Sequence, residues 1–485
     1  MTRRPGHDTG HCHYNLAVSE MNLLLLYTLV FSVHSVLSLT DGEKFSALEN
    51  RVADLEKPLS SLEPLFVERY GLIRHCTTPV VQHGEANCPD KLDPGAKCSL
   101  VCNPGYIATP GKEGTQCQED GFWTKDLQCE IPLVMVAGGA EGEGASRVEL
   151  ISMYPSTGCA KDIAEMPLIE GAPRSLHNLL YVPPERVLAC NGMATKNEAT
   201  CDALDISQNI WKHHSYPNKG DSMSDAFCDI DSLSSRSSHL CTNNPDRKKG
   251  RYAAAGIHVG GETIIAGGMV YDGEGHEPSS AIRKFGYDSW TTLTFRGSEE
   301  LRKERAFFCA VKVKESGFLS IGGLSQGHQG NVVEQSAEYR RVKGGMKSIG
   351  AVSDMSIPRS GHGCSGLPGD DISILVSGGT TGFGKNALSY SEIFSWRNNS
   401  WRNVAEMNTG RFGHAVVSVG EKIFAIGGDE KNPSNILDTI EEYDVEKNSW
   451  RILKTKMKRP RANFGYTLVP HSIFKGCTVS RPLDE

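Results

Sequence analysis

Glycine pairs recur along this chain at Gly138-Gly139, Gly267-Gly268, Gly322-Gly323, Gly378-Gly379 and Gly427-Gly428, with a degenerate Asn191-Gly192 between the first two. In three units a tryptophan follows the second glycine at the same interval of 22 residues: Gly268 to Trp290, Gly379 to Trp401 and Gly428 to Trp450. Chance rarely repeats one interval three times, so the pairs mark a structural repeat of roughly fifty residues. The unit from Arg411 to Leu453 shows its content most plainly. Ala415 to Val419 is apolar and β-branched, Gly420-Glu421 is a turn signal, and Ile423 to Ile426 is a second apolar run that ends in the glycine pair. After a polar loop, Ile440 to Tyr443 resumes strand character, Asp444 to Asn448 supplies turn chemistry, and Trp450 to Leu453 closes the unit. Four antiparallel strands cannot bury both faces alone, so the unit must pack against copies of itself.

Most units open on arginine: Arg251-Tyr252, Arg305-Ala-Phe-Phe308, Arg359-Ser-Gly-His362 and Arg411-Phe-Gly-His414. With the glycine pairs and the downstream aromatics, this pattern resembles kelch repeats, and the resemblance implies a β-propeller. Six glycine-pair positions imply six blades. Only Leu133 to Ala137 precedes the first pair, whereas Arg461 to Val469 is an opening strand with no glycine pair after it. The C-terminal strand is therefore predicted to complete the first blade, which removes an open sheet edge.

The chain is 485 residues long, with 51 glycines and a hydrophobic fraction of only 39%. That composition suits short strands joined by many turns and argues against a helical enzyme. A net charge of -7 gives no broad basic field, so general nucleic-acid binding is not expected. The short clusters Arg247-Lys-Lys249 and Lys458-Arg-Pro-Arg461 read as solvated loop faces.

Ahead of the repeats, residues 1–38 read as a polar leader and a secretory signal segment, with translation starting at Met1 or Met21. The apolar run after Met21 is short for a bilayer span, and no stable membrane span is expected. Within 41–70, apolar residues at 45, 48, 52, 55, 59, 62 and 66 alternate in steps of three and four, as in a short coiled coil limited by Pro58 and Pro64. Two readings stand for these 45–66 heptads, a stalk that forms a homo-oligomer and a helix that packs on its neighbour domain.

Cys76, Cys88, Cys98, Cys102, Cys117 and Cys129 then fall within 54 residues, which after a secretory segment reads as a disulfide framework rather than a zinc site. Counting alone leaves the connectivity open. Cys102-Asn-Pro-Gly-Tyr106, Cys117, Gly121-Phe-Trp123 and Cys129 resemble a sushi (complement control) module. The resemblance implies Cys76–Cys117 and Cys102–Cys129 pairs, with Cys88–Cys98 as in the six-cysteine variant of some adhesion receptors. Trp123 reads as packed against the disulfides. The expected organisation is thus a sushi domain at 74–131, a propeller at 132–470 with an inserted loop at 221–247, and a tail at 471–485. The linker Glu130-Ile-Pro132 is short enough to hold the module as a fixed projection beside the ring.

Within the propeller, a Cys228–Cys241 bridge would compact the insertion and a Cys190–Cys201 bridge would staple the loop after Asn191-Gly192. Cys159 with Cys477 and Cys309 with Cys364 are two further candidate pairs. Asn398-Asn-Ser400 is a glycosylation sequon in the turn before Trp401.

No serine-nucleophile elbow, zinc-protease helix, phosphate loop or dinucleotide fingerprint is present. His362 and His414 hold equivalent repeat positions, which points to structure rather than catalysis. Kelch propellers also carry galactose-oxidase-like copper enzymes, but the set those need, a Tyr linked to Cys, a second Tyr and two His on one metal, is not assignable here. The sequence thus predicts an all-β, secreted, non-enzymatic protein without cofactor or metal. It binds extracellular proteins or glycans, with a copper enzyme or a structural matrix component as the alternatives.

Overall fold

The computed structural model describes residues 75–139, 146–157, 159, 163–168, 174–193, 200–215, 251–259, 261–271, 275–289, 292–313, 317–327, 330–342, 352–382, 385–430 and 435–479. The signal segment, the 45–66 heptads, Cys228, Cys241 and Trp290 lie outside them. Among the described residues the protein is all-β, and a 3-10 turn at His471–Ile473 is the sole helical element. Residue contacts group Thr77–Cys117 and Trp123–Glu485 into one unit, and Met1–Cys76 with Gln118–Phe122 into another.

The sushi module is small and held by bridges. Gly84–Asn87 pairs with Lys97–Cys102, which pairs with Gly114–Gln116, while Ile107–Ala108 pairs with Cys129–Glu130. Cys88–Cys98 and Cys102–Cys129 are bonded, with S–S distances of 2.03 and 2.01 Å, and Cys76 and Cys117 are also disulfide-bonded. So few strands bury little apolar surface, which is why such a module depends on covalent links.

Among the described residues, six antiparallel sheets of three or four strands follow. Sheet 1 joins Gly465–Pro470 to Pro132–Ala137 and Val148–Ile151, so the C-terminal strand pairs with the first one of the ring, from Gly465 opposite Ala137 to Pro470 opposite Pro132. Sheet 2 runs Asn178–Val182, Arg186–Cys190, Thr200–Asp205 and Ile210–Ser215, and sheet 3 Ala255–Val259, Glu262–Ala266, Ala281–Ser289 and Thr292–Glu300. Sheet 4, among the described residues, is Cys309–Val313, Gly317–Ile321 and Ala337–Arg341. Sheet 5 is Gly363–Leu367, Asp370–Ser377, Ser391–Ser395 and Ser400–Val404, and sheet 6 is Ala415–Val419, Lys422–Ile426, Thr439–Asp444 and Ser449–Lys456.

The sheets stack face to face in cyclic order, each neighbouring pair sharing one apolar cluster. Met135 and Ala137 of sheet 1 meet Leu179 and Val187 of sheet 2, whose Leu180 and Leu188 meet Ile265 of sheet 3. Ile264 and Ile282 then meet Phe318, Leu319 and Ile321 meet Ile374 and Phe394, and Leu375 and Ile393 meet Val416 and Ala425. Phe424 and Ile440 of sheet 6 return to Val134 and Val136 of sheet 1. Because both faces of every sheet are covered, the second strands are apolar on successive residues rather than alternately. Lys422–Ile426, for example, buries four residues in a row.

Candidate interaction site

Six arginines stand at one end of the opening strands: Arg174, Arg251, Arg305, Arg359, Arg411 and Arg461, each at most 4% exposed. Each donates to the carbonyl of the first residue of its own glycine pair or its equivalent: Asn191, Gly267, Gly322, Gly378, Gly427 and Gly138 in turn. Three also meet a carboxylate on the third strand, Arg174 with Asp202, Arg359 with Glu392 at 2.8 Å and Arg411 with Glu441 at 2.7 Å. Burial pulls the Arg359 and Arg411 guanidiniums below their ordinary value while the facing glutamates hold them up, and the charge remains. In sheet 3, Arg283 stands at the carboxylate's position, opposite Ile265, and Arg251 instead donates to Ser279 Oγ at 3.0 Å.

The second residue of each pair donates to the next arginine's carbonyl: Gly139 to Arg174, Gly192 to Arg251, Gly268 to Arg305, Gly323 to Arg359, Gly379 to Arg411 and Gly428 to Arg461, at 2.7–3.0 Å. The glycine pair is thus the crossing point between adjacent sheets. At Gly323 and Gly379 φ is +96° and +92°, and an added Cβ would lie 2.7 and 2.9 Å from the Phe308 and His362 side chains.

Two residues beyond each arginine a second ring closes. The amides of Ala253, Phe307, Gly361, Gly413, Asn463 and Leu176 donate to the carbonyls of Leu176, Ala253, Phe307, Gly361, Gly413 and Asn463, at 2.7–2.9 Å. All six have positive φ, from +53° to +64°. For the four that carry a side chain this costs on the order of 1–2 kcal/mol each, and the closed hydrogen-bond circuit offsets it.

The next residue in each sheet is His177, Ala254, Phe308, His362, His414 or Phe464. The three imidazoles contact the glycine pair of the preceding sheet, at Gly138, Gly322 and Gly378, and Phe308 contacts Gly267 in the same way. Burial, reinforced by the neighbouring arginines, lowers His177 and His362 to about 3 and His414 well below its ordinary value. These are neutral packing rings, interchangeable in role with phenylalanine.

The ring therefore has two unlike ends. Connections between second and third strands, and from each sheet to the next, emerge at the arginine end and are long; among them are the hairpins Met269–Tyr271 with His276–Pro278 and Leu324–Gly327 with Gly330–Val333. The inserted 221–247 loop, between sheet 2 and sheet 3 in sequence, lies outside the described residues. The opposite end carries short turns such as Gly420-Glu421. Here the sushi module lies across the inner strands rather than beside the ring, with its Cys102–Ala108 segment lining a central channel of about 1040 Å³ together with all six opening strands. Exposed Asn398 is in a turn at this short-turn end.

Other sequence-marked residues fall as follows. The Trp401 and Trp450 indoles donate to Ser353 and Ala405 carbonyls, and Trp211, which the spacing rule misses, donates equivalently to Ala164. Trp123 is half-buried and donates to Thr77. Cys190–Cys201 joins directly opposed residues of adjacent strands, Cys159–Cys477 ties the tail to the segment after sheet 1, and Cys309–Cys364 links the opening strands of sheets 4 and 5. Arg461 is not part of a solvated cluster, because its guanidinium is buried against the Gly138 and Arg147 carbonyls. Among the described residues, no three His, Cys, Asp or Glu side chains come together as metal ligands, and no helix is long and apolar enough to cross a membrane.

The Kelch motif model matches residues 410–457, the unit whose four strands form sheet 6, and the Sushi repeat (SCR repeat) model matches residues 76–129. The chain joins a sushi repeat to a kelch β-propeller. Human Kelch-like protein 34 is 29% identical over 171 residues, 35% of this chain and 24% of that protein. The C4b-binding protein beta chain of Rattus norvegicus is 32% identical over 93 residues, 18% of this chain and 36% of that protein. The chain therefore spans no more than about a third of these relatives' lengths. A solved chain titled "Structure of YjhT" aligns with a TM-score of 0.45 at 11% identity, over 78% of this chain and 99% of that one.

Proposed function

We propose that this is a secreted, extracellular recognition protein, a six-bladed kelch propeller with a sushi module, which binds protein or glycan partners and performs no catalysis. The observation that carries the reading is the inequality of the two ends. The long connections gather at one end and the sushi module covers the other, so the surface left for a partner is the loop-bearing one. The proposed count of six blades is supported by the two six-membered hydrogen-bond circuits. Secretion is supported by twelve disulfide-bonded cysteines among the described residues and by the signal-like segment after Met21. A relative named for binding C4b supports a protein ligand. The domain limits are those of the sequence reading, with Asn398 carrying a glycan on the short-turn face and the 45–66 heptads forming an oligomer.

The test places a glycan on each face. Val333→Thr creates a glycosylation sequon at Asn331, on a loop-end hairpin, whereas the native sequon at Asn398 lies at the other end. The native secreted protein should retain a discrete ligand from its own extracellular fluid or cell surfaces, and the Asn331 glycan should abolish retention. Loss on occupancy of Asn398 instead would assign binding to the sushi-bearing face. A preparation that retains nothing, carries copper and oxidises an alcohol would overturn the reading.

A further inference from the structure

The sushi module meets the propeller backbone to backbone, through two glycines that leave no room for side chains. The Gly420 amide in the first turn of sheet 6 donates to the Gly105 carbonyl at 2.7 Å. A Cβ on Gly105 would collide with the Gly420 carbonyl, and one on Gly420 would come 2.5 Å from the Tyr154 hydroxyl. Pro104 lies against Gly366 of sheet 5, and Ile107 packs on the core shared by sheets 1 and 2. Glu130, only 7% exposed, accepts from Thr109 Oγ1 of the module at 2.8 Å and from the Ser472 amide beyond the closing strand at 2.9 Å. His471 Nδ1 lies 2.8 Å from the Ile131 carbonyl of the linker. These contacts surround the channel mouth from several sheets, and a buried carboxylate bonded on both sides of a junction holds it only in one arrangement.

We propose that the sushi module is a fixed stopper of the propeller channel, seated through its Cys102–Ala108 segment, rather than an arm that moves independently. The proposal stands whatever the protein binds. Its consequence is that the channel communicates with solvent from the loop end, and that the module's Asn103–Tyr106 face is already occupied by its own chain.

Two glycines of the module make the test, because both have φ of +93° and an alanine strains the backbone equally at each. Gly105 touches the propeller, whereas Gly95 has nothing within 4 Å of an added Cβ. Amide hydrogen exchange is measured on the full-length, disulfide-intact protein. Gly105→Ala should speed exchange in the 415–424 hairpin about tenfold, while Gly95→Ala leaves it unchanged. Glu130→Ala, which removes the Thr109 and Ser472 contacts without adding an atom, should speed the same segment, and it decides the matter alone if Gly105→Ala is not recovered folded. Equal effects of the two glycine variants, or wild-type rates in 415–424 for both Gly105→Ala and Glu130→Ala, would overturn the proposal.

Discussion

His362 and His414 occupy the place that Phe308 and Phe464 take in sister sheets, so one position accepts either ring as long as it is uncharged. Burial and Arg359 lower His362 to about 3, whereas in the unfolded chain it titrates near its ordinary 6.5. Between those values the unfolded state holds a proton that the folded state refuses, so stability falls as pH drops through that window, by about 1.4 kcal/mol per pH unit for each such histidine. His362→Phe should therefore lose about 2–3 kcal/mol less than the wild type between pH 7 and 4.5, read from denaturant midpoints. Equal acid sensitivity in the two proteins would mean the imidazole is not held neutral. At Glu441 the expectation concerns the loss of a counter-ion. Its carboxylate takes Arg411 and the Asn408 and Thr409 amides at 2.7–3.0 Å in a site without exposure. Glu441→Ala leaves a guanidinium buried without its counter-ion and should cost about 3–5 kcal/mol in chemical denaturation.

Among elements, the glycine pairs, the strand runs around them and the ownerless C-terminal strand were legible because each is a local signal: a residue without Cβ, an apolar run, a turn. The hydrogen-bond circuit behind them was not. Its members are Leu176, Ala253, Phe307, Gly361, Gly413 and Asn463, which share a backbone conformation and no side-chain chemistry. Arg174 escaped notice because its unit has Asn191-Gly192 in place of the glycine pair, and Trp211 because that unit is shorter between the pair and the tryptophan. The buried methionines Met355, Met407 and Met457, each four residues before an arginine, are a repeat signal the sequence offered unused. Closure by a strand from the far terminus makes the C-terminal segment a structural pin, and Cys159–Cys477 spans 318 residues of sequence to hold it. Cys159→Ser with Cys477→Ser should lower stability by up to about 5 kcal/mol and speed exchange first in Gly465–Pro470 and Pro132–Ala137. If exchange rises evenly around the ring, the pin is not local to the closure.

For the whole molecule, the unequal ends of the ring turn a question of sequence into one of valency. On the proposed reading a single loop-bearing face would offer one site per chain, and such sites are commonly weak, because adaptable loops lose conformational freedom when they bind. Joining chains through the 45–66 heptads would present several such faces together, and the second contact would then form at a high effective concentration. Two heptads ahead of Pro58 are marginal alone, so the assembly should depend on concentration and dissociate on dilution. Sedimentation of the secreted protein should accordingly show an oligomer that a chain lacking 45–66 does not form. On a surface dense in ligand the full-length protein should dissociate about a hundredfold or more slower than the truncated one, while both bind soluble monovalent ligand equally. Equal dissociation from the dense surface, with both chains monomeric, would leave the heptad segment the other role its spacing allows, packing on its neighbour domain.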